Sequence, residues 1–242
     1  MAAPHSRATT SRSRQELART FPACVKSRIE FRCLLQLPAG YDPRSTTRWP
    51  LIFFLHGAGE RGTRVSNLAK HGPPRIARER PEFPFVVVSP QCPSGEWWRH
   101  ESLLALLDRV TRELSVDARR IYLTGMSMGG FGAWSLVAEA PERFAAVAPV
   151  CGGGSTIGLL LASHRKLPAL KRLPVWAFHG ARDDVVEVEE SQRMIRALRA
   201  LGNEPKLTIY GEAGHDSWTE TYHNPQLYDW FLSHKIKHRR RP

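Results

Sequence analysis

Cysteine is scarce. The 242 residues hold four, Cys24, Cys33, Cys92 and Cys151, none of them in a C-x-x-C pair, and no His/Cys spacing suits a metal. That excludes a disulfide framework and a zinc site. Scattered thiols in a chain this large point to reduced, mostly buried side chains, and so to a cytoplasmic location. Long apolar runs are also missing. No stretch reaches the roughly eighteen residues that a membrane-spanning helix needs, so membrane insertion is not expected. The first twenty residues, MAAPHSRATTSRSRQELART, are basic and rich in Ser and Thr but lack the apolar block of a secretory signal. They read as a disordered tail or a start codon placed too early, with an organellar transit peptide as the weaker alternative.

A basic stripe through the body is absent as well, although the formal charge is +12. Residues 1–30 carry six basic and two acidic side chains, net +4, and residues 234–242 (HKIKHRRRP) carry five basic and no acidic ones, net +5. Only +3 remains for everything between, and it is not interleaved with aromatics as in a nucleic-acid surface. Nucleic acid is therefore not an expected partner. No internal repeat occurs, and no Gly- or Pro-rich linker divides the body. The expected organisation is a basic tail over 1–25, one domain over 26–234 and a second basic tail over 235–242.

What the body does contain is an alternation of short apolar runs with helical patterns. Ile29, Phe31, Cys33, Leu35 and Leu37 recur at period two, as in a strand. PLIFFLHG (50–57) and FPFVVVSP (83–90) are continuous apolar runs of the kind that central strands covered on both faces require. Ser102 is placed to cap a helix bearing Leu103, Leu106, Leu107, Val110 and Leu114. Further strands are read at Ile121–Thr124, RFAAVAPV, LPVWAFHG and KLTIYG, with helices from about Met128 to Ala138 and from Val188 to Leu201. Asn224 followed by Pro225 starts a last helix. The expected fold class is α/β, a mostly parallel sheet with helices on both faces.

In such a sheet chemistry collects at the carboxyl ends of the strands. There the sequence places IYLTGMSMGGFGAW (121–134), with Ser127 inside G-x-S-x-G between a strand and a helix. A nucleophile on that sharp turn needs small residues two before and two after it, and Gly125 and Gly129 supply them. The N–H of Met128, at the helix start, is aimed to donate to a developing oxyanion. A serine hydroxyl needs a base, and the base an orienting acid, in the chain order Ser, acid, His. Two loops beyond strands qualify: FHGARDDVV, with Asp183 or Asp184 as the acid, and YGEAGHDSW, with His215 as the base. Asp183 is favoured for its spacing from the preceding HG, Asp184 being read as a solvated residue or a cap. His223 is the nearest rival to His215. His56 and His179, each before a glycine at a strand end, read as structural hydrogen-bonding residues. The second oxyanion donor is expected in LHGAGERG (55–62), at the N–H of Ala58.

These four pieces together resemble the α/β-hydrolase superfamily, and within it small serine esterases of the phospholipase/carboxylesterase and dienelactone-hydrolase-like groups, often described as prolyl-oligopeptidase-like. The resemblance spans about Phe31 to His234. It implies Ser127 as nucleophile, Asp183 as acid, His215 as base, and Ala58 and Met128 as oxyanion donors, with neither cofactor nor metal. Two departures matter. Dienelactone hydrolases carry a cysteine at the elbow where this chain has Ser127, which disfavours their reaction. Many relatives have proline in place of Asp184.

The resulting expectation is a serine esterase acting on a small-molecule ester through an acyl-enzyme. A peptidase or an acyltransferase would use the same residues, and a non-catalytic binding module is the reading from another class. Only Cys151–Leu173 lies where many lipases insert a cap, room for at most one helix, so an open cleft suited to short or medium acyl, aryl or sugar esters is expected. Trp97, Trp98 and Trp218 adjoin the predicted loops and are candidates for a stacking wall, plain packing being the alternative. Nothing in the pattern specifies an oligomeric state.

Overall fold

The computed structural model describes residues 29–161 and 164–236. The tail expected over 1–25, Cys24, and all but two residues of the tail expected over 235–242 lie outside them. Seven strands are formed: β1 (Cys33–Gln36), β2 (Trp49–Leu55), β3 (Val86–Pro90), β4 (Val116–Met126), β5 (Ala146–Val150), β6 (Trp176–Gly180) and β7 (Lys206–Tyr210). They make one sheet in the order β1-β3-β2-β4-β5-β6-β7, in which only β1 runs antiparallel to its neighbour. The six parallel strands therefore present their carboxyl ends along one rim.

The continuous apolar runs are explained by burial on both faces. Along β2, Leu51, Phe53 and Leu55 enter one core, while Ile52 and Phe54 enter the other. Helices α1 (Gly72–Glu79), α2 (His100–Glu113), α3 (Met128–Glu139), α4 (Thr156–Leu160), α5 (Leu167–Arg172), α6 (Val188–Ala200), α7 (Trp218–His223) and α8 (Pro225–Ser233) divide between the faces. The first core takes Leu103 and Leu107 of α2, Trp134 and Leu136 of α3, and Met194 and Leu198 of α6. The second takes Ile76 of α1, Tyr222 of α7, and Leu227 and Phe231 of α8.

Several expectations shift. The first strand shortens to β1, the edge strand of the sheet, and Ile29, Leu35 and Leu37 are exposed. α2 begins at His100, so Ser102 lies within its first turn rather than capping it. The segment after β5 forms two short helices, α4 and α5, instead of at most one. Asn224 does cap α8, its side chain accepting from the N–H of Gln226 ahead of Pro225.

Candidate active site

β4 ends at Met126 and α3 begins at Met128, which leaves Ser127 alone on the turn with φ +52° and ψ −118°. A non-glycine residue there stores on the order of 1–3 kcal/mol, held by its surroundings. The backbone is fixed from both sides: its N–H donates to the Val150 carbonyl at 3.0 Å, and its carbonyl accepts from the Phe131 N–H at 3.1 Å. The glycines prove necessary for close approach. A Cβ on Gly125 would run into the carbonyl of Gly129, and one on Gly129 into the carbonyl of Leu55.

The loops after β6 and β7 are tied to each other. Ala181 donates its N–H to Tyr210 and Arg182 to Ala213, and a Cβ on Gly180 would strike the carbonyls of Ala213 and Gly214. This contact brings Asp183 and His215 together. His215 Nδ1 lies 2.8 Å from Asp183 Oδ2 and 3.0 Å from Oδ1, and His215 Nε2 lies 3.0 Å from Ser127 Oγ. With a carboxylate at one nitrogen, the neutral ring keeps its proton on Nδ1 and presents a lone pair from Nε2 to the hydroxyl.

Asp183 has a side chain with no exposed surface, whereas the neighbouring Asp184 faces solvent. Asp183 Oδ1 also accepts the N–H groups of Val185 (3.0 Å) and Val186 (2.9 Å). Burial alone would raise this carboxyl. The His215 hydrogen bond and the two backbone donors outweigh it and hold the group below the ordinary carboxylate range. His223, the rival base, ends α7 against the Thr219 carbonyl and beside Glu79.

The oxyanion candidates follow neighbouring strands. Leu55 of β2 pairs in parallel with Gly125 of β4, and Ala58 and Met128 each follow three residues later. Met128 is the first residue of α3, so its N–H precedes the helix's own ladder. Ala58 opens a short 3₁₀ turn, Ala58–Glu60, behind the loop's buried anchor, His56. That histidine accepts the Cys92 N–H at Nε2 (3.0 Å) and bonds the Gly57 carbonyl through Nδ1 (2.7 Å). Burial pushes it down to about 4, so it stays neutral and structural.

The three tryptophans separate. Trp97 is 54% exposed and meets the ring of Phe131 edge-on. Trp98 offers no open face, which corrects its place in a stacking wall: it is buried and donates its indole N–H to the His56 carbonyl at 3.2 Å. Trp218 stands perpendicular to His215 with ring centroids 5.2 Å apart. A pocket of about 410 Å³ opens along α3, its lining including Trp97, Phe131, Trp134, Ser135, Leu161 and Lys166. Phe131 and Leu161 were not singled out from sequence. Phe131, one helical turn after Ser127, could have been found by helical spacing alone. A second pocket of the same volume lies at the amino ends of β6 and β7, by Lys171, Lys206 and Trp230, away from this rim.

Among the described residues, the side chains that converge as metal ligands would are Cys151, Asp183 and His215, with their ligand atoms within 4.8 Å of one another. The last two are already bonded to each other, and burial pushes the Cys151 thiol up to about 12, so it stays protonated.

The chain matches the Dienelactone hydrolase family over residues 99–228, more than half its length. It is 29% identical over 122 residues to the bifunctional acetylxylan esterase/xylanase XynS20E of Neocallimastix patriciarum, covering 48% of this chain and 17% of that protein. A thermostable esterase of known structure superposes with a TM-score of 0.70 at 31% identity, over 86% of this chain and 60% of the other. Esterase PE8 shares the fold, with a TM-score of 0.61 at 21% identity over 85% and 97% of the two chains. The chain spans half or less of the length of the curated relatives XynS20E, at 17%, a carboxymethylenebutenolidase homologue of Yersinia pestis, at 49%, and a dipeptidyl peptidase family member of Caenorhabditis elegans, at 30%. With its seven-stranded sheet, its serine on the strand-to-helix turn and this match, the chain belongs to the dienelactone hydrolase family.

Proposed function

We propose that the protein is a serine hydrolase that cleaves small-molecule carboxylic esters through an acyl-enzyme. One observation carries the reading: an unbroken hydrogen-bonded line from Ser127 Oγ through His215 to Asp183, at 3.0 and 2.8 Å, on the rim where the parallel strands end. In this mechanism Ser127 Oγ attacks the ester carbonyl while His215 Nε2 takes its proton. Asp183 holds the tautomer and stabilises the imidazolium that forms. The N–H groups of Ala58 and Met128 receive the oxyanion. His215 then protonates the departing alkoxide, and the same base activates water to release the acid.

Small esters with an aryl or sugar scaffold fit best. Among the described residues the segment after β5 forms the short helices α4 and α5, and the pocket beside Trp97 and Phe131 offers aromatic faces next to Ser135 and Lys166. The name of the Neocallimastix relative, an acetylxylan esterase, favours the sugar-bound acetyl group. The serine at the elbow supports esterase over dienelactone chemistry. No helix among the described residues is long and apolar enough to cross a membrane. The free thiols of Cys33, Cys92 and Cys151 favour a reducing compartment such as the cytoplasm.

Turnover of p-nitrophenyl acetate, of a peptide amide, and of the acetate with an added alcohol acceptor separates esterase from peptidase and acyltransferase. The expected result is ester hydrolysis with labelling of Ser127 by a fluorophosphonate, and a loss on the order of 10⁴ or more in kcat for Ser127→Ala. An alanine variant with near-normal turnover overturns the assignment.

A further inference from the structure

We infer that His179 is a positioning residue: it holds the carboxylate of Asp183 in the orientation that receives His215. The inference rests on the hydrolase reading above. His179 lies in β6, four residues before Asp183, and is completely buried. Its Nε2 is 2.8 Å from the Val186 carbonyl oxygen and 3.2 Å from Asp183 Oδ2. Both neighbours are acceptors, so Nε2 carries a proton and shares it between them. On the other side of the ring, Nδ1 lies 2.7 Å from Ser191 Oγ of α6, whose hydroxyl in turn reaches the Gly152 carbonyl at 2.9 Å. The ring is thus held on both edges and cannot turn without breaking these contacts.

The two carboxylate oxygens are held by different means. Oδ1 is fixed by the loop's own Val185 and Val186 N–H groups, which locate one end of the carboxylate but leave it free to swivel. Oδ2, the oxygen nearer His215 Nδ1, has His179 as its second donor among the described residues. His179 also takes the carbonyl of Val186, the residue whose N–H binds Oδ1. Loop and carboxylate are therefore referenced to one rigid ring, which α6 and the segment after β5 anchor. A displacement of about 1 Å at such a group costs on the order of 10²-fold in rate.

The histidine has two partial isosteres that divide its functions. In His179→Gln the amide nitrogen reaches the place of Nε2 and keeps the donor to Asp183, losing the Ser191 contact. In His179→Asn it reaches the place of Nδ1 and keeps only Ser191. Expected on p-nitrophenyl acetate is kcat within about 5-fold of wild type for Gln and lower by about 10- to 100-fold for Asn, with KM within about 2-fold in both. In an Asp183→Asn background the difference between the two should vanish. Equal losses in Gln and Asn, a difference that survives in that background, or one that appears in KM would overturn the inference. Should the His179 variants not fold, nitrogen-15 histidine spectra of the otherwise unaltered chain decide it. The His179 Nε2–H resonance should move on Asp183→Ala, and an unmoved resonance refutes the contact. Absence of any ester turnover by the wild type would refute the hydrolase reading instead.

Discussion

Acid should destabilise this fold through His56. The imidazole is completely buried, accepts the Cys92 N–H at Nε2, and is pushed from its ordinary 6.5 down to about 4, burial being the main cause. Between those two values the unfolded chain binds a proton that the folded chain refuses. Stability is therefore complete above about pH 6.5 and falls as pH drops, by about 1.4 kcal/mol per pH unit, until the folded state also protonates near 4. The whole span is worth roughly 3 kcal/mol, a large part of a typical folding free energy. The assay is urea unfolding at pH 7.5, 6.5, 5.5 and 5 for wild type and His56→Gln. Glutamine loses bonds and starts roughly 1–3 kcal/mol less stable. Its curve should then be flatter by about 2 kcal/mol between pH 6.5 and 5. Other groups titrate too. Asp183 and Asp117, held low, act below this window, and Glu60, raised by burial, acts with the opposite sign, but all are common to both proteins and cancel in the difference. Parallel stability curves would refute the reasoning.

Gly125→Ala and Gly129→Ala should each cost more than about 4 kcal/mol, because the new methyl meets backbone carbonyls rather than a movable side chain; soluble protein with an unchanged urea midpoint would contradict this. Asp183→Asn should lower kcat by about 10³- to 10⁴-fold and Asp184→Asn by less than about 2-fold, measured on p-nitrophenyl acetate, since only the first carboxylate is buried against His215. Trp97→Ala should raise KM several-fold for an aryl or glycosyl ester and leave KM for a methyl ester unchanged, with stability altered by no more than about 0.5 kcal/mol. Equal changes on both substrates would remove Trp97 from the cleft.

The central strands were readable because burial on both faces writes itself as unbroken apolar sequence, as in Leu51 to Leu55. The elbow was readable because its two glycines answer a steric demand. α1 was not foreseen: Pro73 and Pro74 look like loop residues among arginines, yet they occupy the first turn of the helix, where no N–H is needed. The sequence favours one member of one adjacent pair and leaves another pair undivided. Asp183, favoured by its spacing from the preceding HG, is chemically identical to Asp184, and the turn of Val185 and Val186 back onto its Oδ1 is what sets its carboxylate against His215. Trp97 and Trp98 point to opposite sides of one loop, and a hydrogen bond to His56 draws in the second.

The clamp between the loops after β6 and β7 divides the molecule's freedom to diversify. Ala181 with Tyr210, Arg182 with Ala213 and the Gly180 contact lock the Asp183 loop to the His215 loop, so an insertion in either would unseat both. The stretch around Trp97, after β3, makes none of these contacts, whereas the segment after β5 anchors His179 through Gly152. New substrate preferences are to be grafted around Trp97, where lengthening the chain breaks none of the bonds between Asp183 and His215.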